Sequence, residues 1–286
     1  MNLLKKSVAV IIAAAMLISV SCVTFFAETY YTDGDFIFAI DNNGKAQVAK
    51  YNGSDSVMKI PATLNGIDVG SVRYMAFQSN SFLTSVDFSE AKNLKTIGNF
   101  AFSDCVNLTS LTLSSQITKI GFGAFSGCTS LKSVDIQSET ASIPAEAFLN
   151  CTSLSEVKIS DSVTTVGNNA FGNCSSLKEL YIGKNVTSIS SSAFKGATNL
   201  KIYCSLNSYA QQYAIENNIP YVVVEGYPKG DVNLDGQLSV LDSTLLQKYI
   251  AASETLNDTQ LYLADFNGDG KVDVLDATAI QKELAS

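Results

Sequence analysis

The sequence predicts an α+β chain: a solenoid of stacked coils with a parallel strand ladder, an N-terminal β-hairpin cap and a C-terminal cap, followed by a small all-α module built on two loop-helix motifs. Three observations predict it. The pair Ala-Phe recurs at Ala76-Phe77, Ala101-Phe102, Ala124-Phe125, Ala147-Phe148, Ala170-Phe171 and Ala193-Phe194, first at an interval of 25 residues and then at 23 throughout. Segments such as Leu111-Thr112-Leu113 and Val157-Lys158-Ile159 alternate apolar and polar residues in one phase of that repeat, as half-buried strands do. Near the C-terminus two segments match each other at an offset of 34 residues, each with Asp and Asn at alternate positions and a Gly in between.

At the N-terminus, Lys5 and Lys6 precede an apolar stretch from Val8 to Val20 and a small-residue cut site after Ala27. This is the pattern of an export signal over residues 1–27, which predicts a secreted, extracellular protein. Two other readings stay open. An uncleaved anchor is one, because apolar character continues through Phe25 and Phe26; a lipid anchor on Cys22 is the other, although Ser19 stands where such sites prefer Leu. Beyond Ala27 no segment is apolar enough to cross a bilayer, so no membrane insertion is expected once the signal is removed.

Composition narrows the function further. With 286 residues and 46% apolar content the chain can build more than one core. The balance of 19 basic against 27 acidic residues disfavours nucleic acid or anionic membrane as a partner. His and Trp are both absent, which removes His-based triads and His-ligated zinc. Carboxylate-based glycosidases survive that filter.

Residues 28–68 read as an N-terminal β cap. Phe36 to Ile40 and Ala46 to Tyr51 bracket Asp41-Asn42-Asn43-Gly44, whose Asn and Gly tolerate positive φ, and this hairpin would cover the first coil. The repeat domain with its C-terminal cap spans 69–224. In its third unit Ile117, Ile120, Ala124, Phe125, Cys128, Leu131, Val134 and Ile136 fall where the fifth has Val163, Val166, Ala170, Phe171, Cys174, Leu177, Leu180 and Ile182. One unit cannot bury this face alone, so the coils must stack, with a tighter turn or short helical piece at Ala-Phe. Ser208 to Asn217 carries helical spacing with Tyr209, Tyr213 and Ile215 among its apolar positions; Pro220 ends it before the strand-like Tyr221 to Val224, and the unit would shield the last coil.

Cys105, Cys128, Cys151 and Cys174 share one phase of successive units, which predicts a packing role. Neighbouring coils could also bring such residues within disulfide distance, so free thiols and bridges both remain open. Outward positions of the ladder, Asp87, Thr112, Asp135, Lys158 and Tyr181, form a mixed polar stripe with one Tyr, sparse for a carbohydrate platform. Glu146, Glu156 and Glu179 fall on different phases or at neighbouring surface positions, and no catalytic pair stands out.

These repeats resemble the BspA-like class of leucine-rich repeats, whose units read roughly Ile-Gly-x-x-Ala-Phe-x-x-Cys-x-x-Leu-x-x-Val-x-Ile. The resemblance covers about residues 69 to 204. It implies a solenoid of the bacterial cell surface or exterior, used in adhesion or unknown roles, without an active site common to the class.

After a linker at 225–229, the matched segments are Asp231 to Asp242 and Asp265 to Asp276. Calcium wants hard oxygen ligands in a flexible shell, and such a loop offers side chains at positions 1, 3, 5 and 12, a backbone carbonyl at 7, a water-bridged 9, and Gly at 6 for the sharp turn. The candidates are Asp231, Asn233, Asp235, Gln237 through its carbonyl, Ser239 and Asp242, and then Asp265, Asn267, Asp269, Lys271 through its carbonyl, Asp273 and Asp276. Two Ca2+ ions are expected. The loops depart from an ordinary EF-hand: position 12 is Asp, and no amphipathic helix precedes either loop at the expected place.

Loop, helix from Val240 to Ile250, connecting segment, loop, and helix from Val274 to Leu284 resemble the type I dockerin over residues 230–286. The resemblance implies docking to a cohesin domain of a scaffoldin in a cellulosome, and through it a part in polysaccharide degradation. Its recognition positions fall on Val240, Leu241, Gln247, Lys248, Val274, Leu275, Gln281 and Lys282, identical in the two copies, so either helix could lead the interaction. The expected function is thus a non-catalytic, secreted component that attaches through calcium and presents a repeat surface to an unidentified protein or glycan. The alternatives are an adhesin that binds glycan or cell surface through the repeats, and a polysaccharide hydrolase, as most dockerin-bearing chains are.

Overall fold

A computed structural model describes residues 28–113 and 115–286 of the chain; the export signal, its cut site and Cys22 lie outside the described residues. Six strands precede the regular coils: β1 (Tyr31–Asp33), β2 (Phe36–Ile40), β3 (Ala46–Tyr51), β4 (Val57–Lys59), β5 (Thr63–Leu64) and β6 (Ile67–Val72). The coils then alternate a long and a two-residue strand: β7 (Ser85–Asp87), β8 (Thr96–Ile97), β9 (Ser110–Leu113), β10 (Lys119–Ile120), β11 (Ser133–Ile136), β12 (Ser142–Ile143), β13 (Glu156–Ile159), β14 (Thr165–Val166), β15 (Glu179–Ile182), β16 (Ser188–Ile189) and β17 (Lys201–Ser205). Helix α1 (Tyr209–Glu216) and strand β18 (Tyr221–Glu225) close the series, and α2 (Val240–Ile250), α3 (Asp258–Ala264) and α4 (Val274–Leu284) form the C-terminal module.

The long strands make one eight-stranded sheet in the order β18-β17-β15-β13-β11-β9-β7-β4, parallel throughout. Inward residues alternate with outward ones: Leu111, Val134, Val157, Leu180 and Ile202 are buried, while Thr112, Asp135, Lys158, Tyr181 and Tyr203 share the outer column. The short strands form the opposite wall, and the hairpin of β2 and β3 joins that wall by pairing β3 with β6.

Between the walls the Ala-Phe segments are turns rather than helical pieces. The Phe N–H of one coil donates to the Ala carbonyl of the next, from Phe77 to Ala101 (2.8 Å) through Phe171 to Ala193 (2.9 Å). This bond pattern stacks the rings themselves: Phe77, Phe102, Phe125, Phe148, Phe171 and Phe194 lie nearly parallel at centroid spacings of 4.8 to 5.7 Å. Tyr51 of the hairpin covers one end of the column at 5.9 Å, and Tyr213 of α1 closes the other edge-on at 6.0 Å. The recurrent Gly of the motif permits the spacing. A Cβ on Gly98 would stand 2.6 Å from the Arg73 carbonyl carbon, and one on Gly121 only 2.4 Å from the Asn99 nitrogen.

Two details depart from expectation, one in the C-terminal cap and one before the second loop. In α1 the buried residues are Ala210, Tyr213 and Ala214, whereas Ile215 and Tyr209 are exposed, because the helix is short and touches the last coil along one narrow stripe. A helix, α3, does precede the second loop, ending where Asp265 begins it. Its start is set by a capping box at Asn257 and Gln260, a signal that apolar periodicity does not register.

Candidate calcium loops and docking helices

Each loop wraps its backbone around the first carboxylate. Asp231 accepts N–H bonds from Asp235 (3.1 Å, Oδ1) and Gly236 (2.8 Å, Oδ2), and Asp265 accepts from Gly268 (2.9 Å), Asp269 (3.1 Å) and Gly270 (3.0 Å). The sharp turn needs left-handed backbone at position 6, supplied by Gly236 (φ 89°) and Gly270 (φ 81°). Position 4 is left-handed as well. Gly268 adopts φ 77° freely, but in the first loop Leu234 holds φ 61°, a conformation that costs a branched residue on the order of 1–2 kcal/mol.

The last carboxylate of each loop ties its two ends together. Asp242 accepts the N–H of Asn233 (2.9 Å) on Oδ1 and that of Ser239 (2.8 Å) on Oδ2; Asp276 accepts those of Asn267 (3.1 Å) and Asp273 (2.9 Å) in the same way. Position 9 is the helix N-cap: Ser239 accepts from the Leu241 N–H (3.2 Å) and Asp273 from the Leu275 N–H (2.8 Å). That use fits its expected indirect role towards an ion. Asn233 and Asn267 donate to Asp235 and Asp269 at 3.0 and 3.2 Å, so positions 3 and 5 face one another in both copies.

The donor set fits calcium. Asp231, Asp242 and Asp276 are buried, and none of the ion pairs among the described residues includes them. Buried charges are ordinarily paired or bound to metal. Burial pushes the Asp231 carboxyl above the usual carboxylate range, the Gly236 and Asp235 N–H groups oppose that shift, and the nearby charges of Asp242 and Asp235 reinforce it. A cation would relieve this crowding, using the lone pairs that the N–H bonds leave free. Among the described residues no three His, Cys, Asp or Glu side chains converge on a point by themselves. The candidate set is instead one of carboxylates and Asn side chains, with Gln237 and Lys271 at position 7 of their loops.

Val240 and Leu241 open α2, and Val274 and Leu275 open α4; their exposures of 66%, 61%, 60% and 59% exclude a core-packing role. Gln247 and Lys248 and their counterparts Gln281 and Lys282 are exposed further along the same helices. The module's own core is Val232, Leu246, Ala264, Ala277 and Ile280, so the docking candidates contribute nothing to it.

The repeat face carries an aromatic pair beyond the single Tyr of the expected polar stripe. Tyr203 continues the outer column beyond Tyr181, and the two rings stack at 4.4 Å, with the Lys158 ammonium 5.7 Å from the Tyr181 centroid. The signal was the continued register of β17, obscured because its coil departs from the repeat. The Tyr181 hydroxyl is pushed up to about 12, chiefly by burial. Glu156 and Glu179 are register partners on adjacent strands, and Glu156 is paired with Lys158 at 3.1 Å on that open face.

All five described cysteines are free and buried. The thiols of Cys105, Cys128, Cys151 and Cys174 donate to the carbonyls of Phe77, Phe102, Phe125 and Phe148 at 3.2 to 3.3 Å, which ties each Cys to the Phe column of the preceding coil.

No helix among the described residues is long and apolar enough to cross a membrane. Comparison with known proteins matches the BspA type leucine rich repeat region, in six copies, to residues 70–201. The dockerin type I domain matches residues 229–285. No curated protein matches the chain. Among solved structures, a leucine-rich repeat protein of T. pallidum is 21% identical over 60% of this chain and 70% of its own, with a TM-score of 0.40. One from Eubacterium ventriosum is 20% identical over 56% of this chain and 49% of its own, TM-score 0.44. One from Bacteroides ovatus is 21% identical over 59% and 54%, TM-score 0.38. The chain thus spans about half the length of the last two. Repeats and dockerins of these kinds are non-catalytic interaction modules, and type I dockerins bind calcium. The chain carries a BspA-type leucine-rich repeat region followed by a C-terminal type I dockerin domain.

Proposed function

We propose that this chain is a secreted, non-catalytic component of a cellulosome. Two Ca2+ ions, one in the loop from Asp231 to Asp242 and one in the loop from Asp265 to Asp276, organise the dockerin. Its exposed Val240-Leu241 and Val274-Leu275 pairs, with Gln247-Lys248 and Gln281-Lys282, then engage a cohesin domain of a scaffoldin. The repeat region, residues 69–224 with its caps, presents the ladder face to a protein or glycan of the polysaccharide-degrading assembly. The observation that carries this reading is the doubled loop-helix geometry: two loops with matching carboxylate-to-backbone bonds, each opening a helix on an exposed Val-Leu pair. Buried apolar pairs would have argued for packing; exposed ones need a partner.

The test is calorimetry of the whole chain against a panel of cohesin domains, in excess calcium and again in EGTA. Tight binding that chelation abolishes is expected. Two calcium ions bound with no cohesin partner would overturn the cellulosomal reading and favour an adhesin with a structural calcium module.

A further inference from the structure

The eight-stranded sheet ends at β18, and an open sheet edge presents unpaired N–H groups unless something covers it. Burial along β18 shows that it is covered. In β9, β11, β13 and β15 buried residues alternate with more exposed ones, as expected for strands packed on one face. In β18 the adjacent Val222 and Val223 are both buried, which requires a second body against the strand. That body is α3. The Val223 N–H is not spent on β17: it donates to the Thr259 hydroxyl oxygen at 3.0 Å, and both residues are buried. Next to it the Lys201 ammonium of β17 meets the Asp258 carboxylate at 2.6 Å. The connection between the modules is itself held to α3, since the Lys229 ammonium donates to the Tyr262 carbonyl at 3.0 Å and lies 4.9 Å from its ring centroid.

We propose that the outer edge of β18 is an interaction surface for α3, so that the dockerin is also the terminal cap of the solenoid. The fit is specific: an edge N–H finds a buried hydroxyl acceptor, and a strand cation finds the acidic first turn of a helix. The cap leaves both docking helices free, because the exposed Val-Leu pairs belong to α2 and α4. It is also linked to the calcium loops. Asp265, which caps the C-terminus of α3, is the residue around which the second loop folds, so an ion held there fixes the helix that covers the sheet. The contact itself forms part of the wall of a cleft of about 650 Å³, in which Val223, Asp258 and Thr259 are joined by Tyr221, Tyr227 and Asn257. The calcium link rests on the function proposed above; the contact itself does not.

Hydrogen exchange on the full chain tests both, read at residues 221–225 with 156–159 as the internal control. Three samples are compared: the chain in calcium, the chain in EGTA, and a T259V/D258N variant in calcium, with calcium stoichiometry measured on each. About tenfold faster exchange at 221–225 in both EGTA and the variant, with 156–159 unchanged and two ions still bound by the variant, is expected. Unchanged exchange at 221–225 in the variant overturns the cap, whatever calcium does. Faster exchange in the variant together with no calcium binding by the wild-type chain leaves the cap standing and overturns the calcium reading.

Discussion

All five described cysteines are buried, which limits how their thiols can react. Desolvation raises the Cys204 thiol to about 11 and that of Cys174 to about 12 and shifts Cys105 upward, while the Cys151 thiol is shifted upward first by its hydrogen bond with Cys128 and then by desolvation. A raised thiol pKa keeps the thiolate scarce at pH 8, and the thiolate is the reacting form. Buried side chains are also out of the reagent's reach, so iodoacetamide at pH 8 is expected to leave Cys105, Cys128, Cys151, Cys174 and Cys204 unlabelled in the native chain and to label all five in denaturant, read by mass spectrometry; rapid native labelling would contradict the packing role. The loop carboxylates invite an equally local test. Asp231→Ala removes the acceptor of two backbone N–H groups and Asp265→Ala that of three, each at the first position of its proposed calcium loop. Each should lower the calcium stoichiometry by one, and the double substitution should abolish binding. Calorimetric titration gives the count directly.

Among the elements, the Phe column is the one whose disruption travels. Phe125 is fully buried between Phe102 and Phe148, at 5.5 and 5.4 Å. Phe125→Ala removes contacts on both sides and should cost about 3–5 kcal/mol of stability in a denaturant titration. Because each coil touches mainly its neighbours, the loss should loosen adjacent coils before the ends. The inter-coil approach at Gly121 sets a second limit. The methyl of Gly121→Ala would meet the backbone of Gly98 and Asn99 at 2.4 Å, contacts that backbone cannot yield cheaply, so a loss of about 1–3 kcal/mol is expected in the same titration. The repeat motif was legible because both demands, ring on ring and backbone on backbone, recur every coil and write themselves into the sequence. The ends of the column were less so: Tyr51 and Tyr213 come from different elements, outside the repeat, and only tertiary packing brings them onto Phe77 and Phe194.

For the molecule as a whole, ligand binding to the folded state alone stabilises it by mass action, about 2.7 kcal/mol at a hundredfold excess over Kd. The helical signal of α2 and α4 should consequently melt at a temperature that rises with calcium concentration, whereas the strand signal of the middle coils should respond far less. Circular dichroism at two calcium concentrations, one below and one well above saturation, checks the separation. A melting temperature of the helices independent of calcium would remove the metal from the account of this module.

The period and phase of the coils, the hairpin at residues 36–51, both loops and the extents of α2 and α4 are legible in the residues alone, because each rests on a short-range rule: apolar periodicity, turn chemistry, or ligand spacing within twelve residues. The tertiary structure alone decided what depends on distant segments meeting. It placed Tyr203 against Tyr181, set the thiols on the carbonyls of the preceding coil, turned Val240, Leu241, Val274 and Leu275 out to solvent, and laid α3 along the edge of β18. None of these is written in local pattern. An apolar residue reads the same in sequence whether the face it occupies is covered or open, and only the packed chain distinguishes the two.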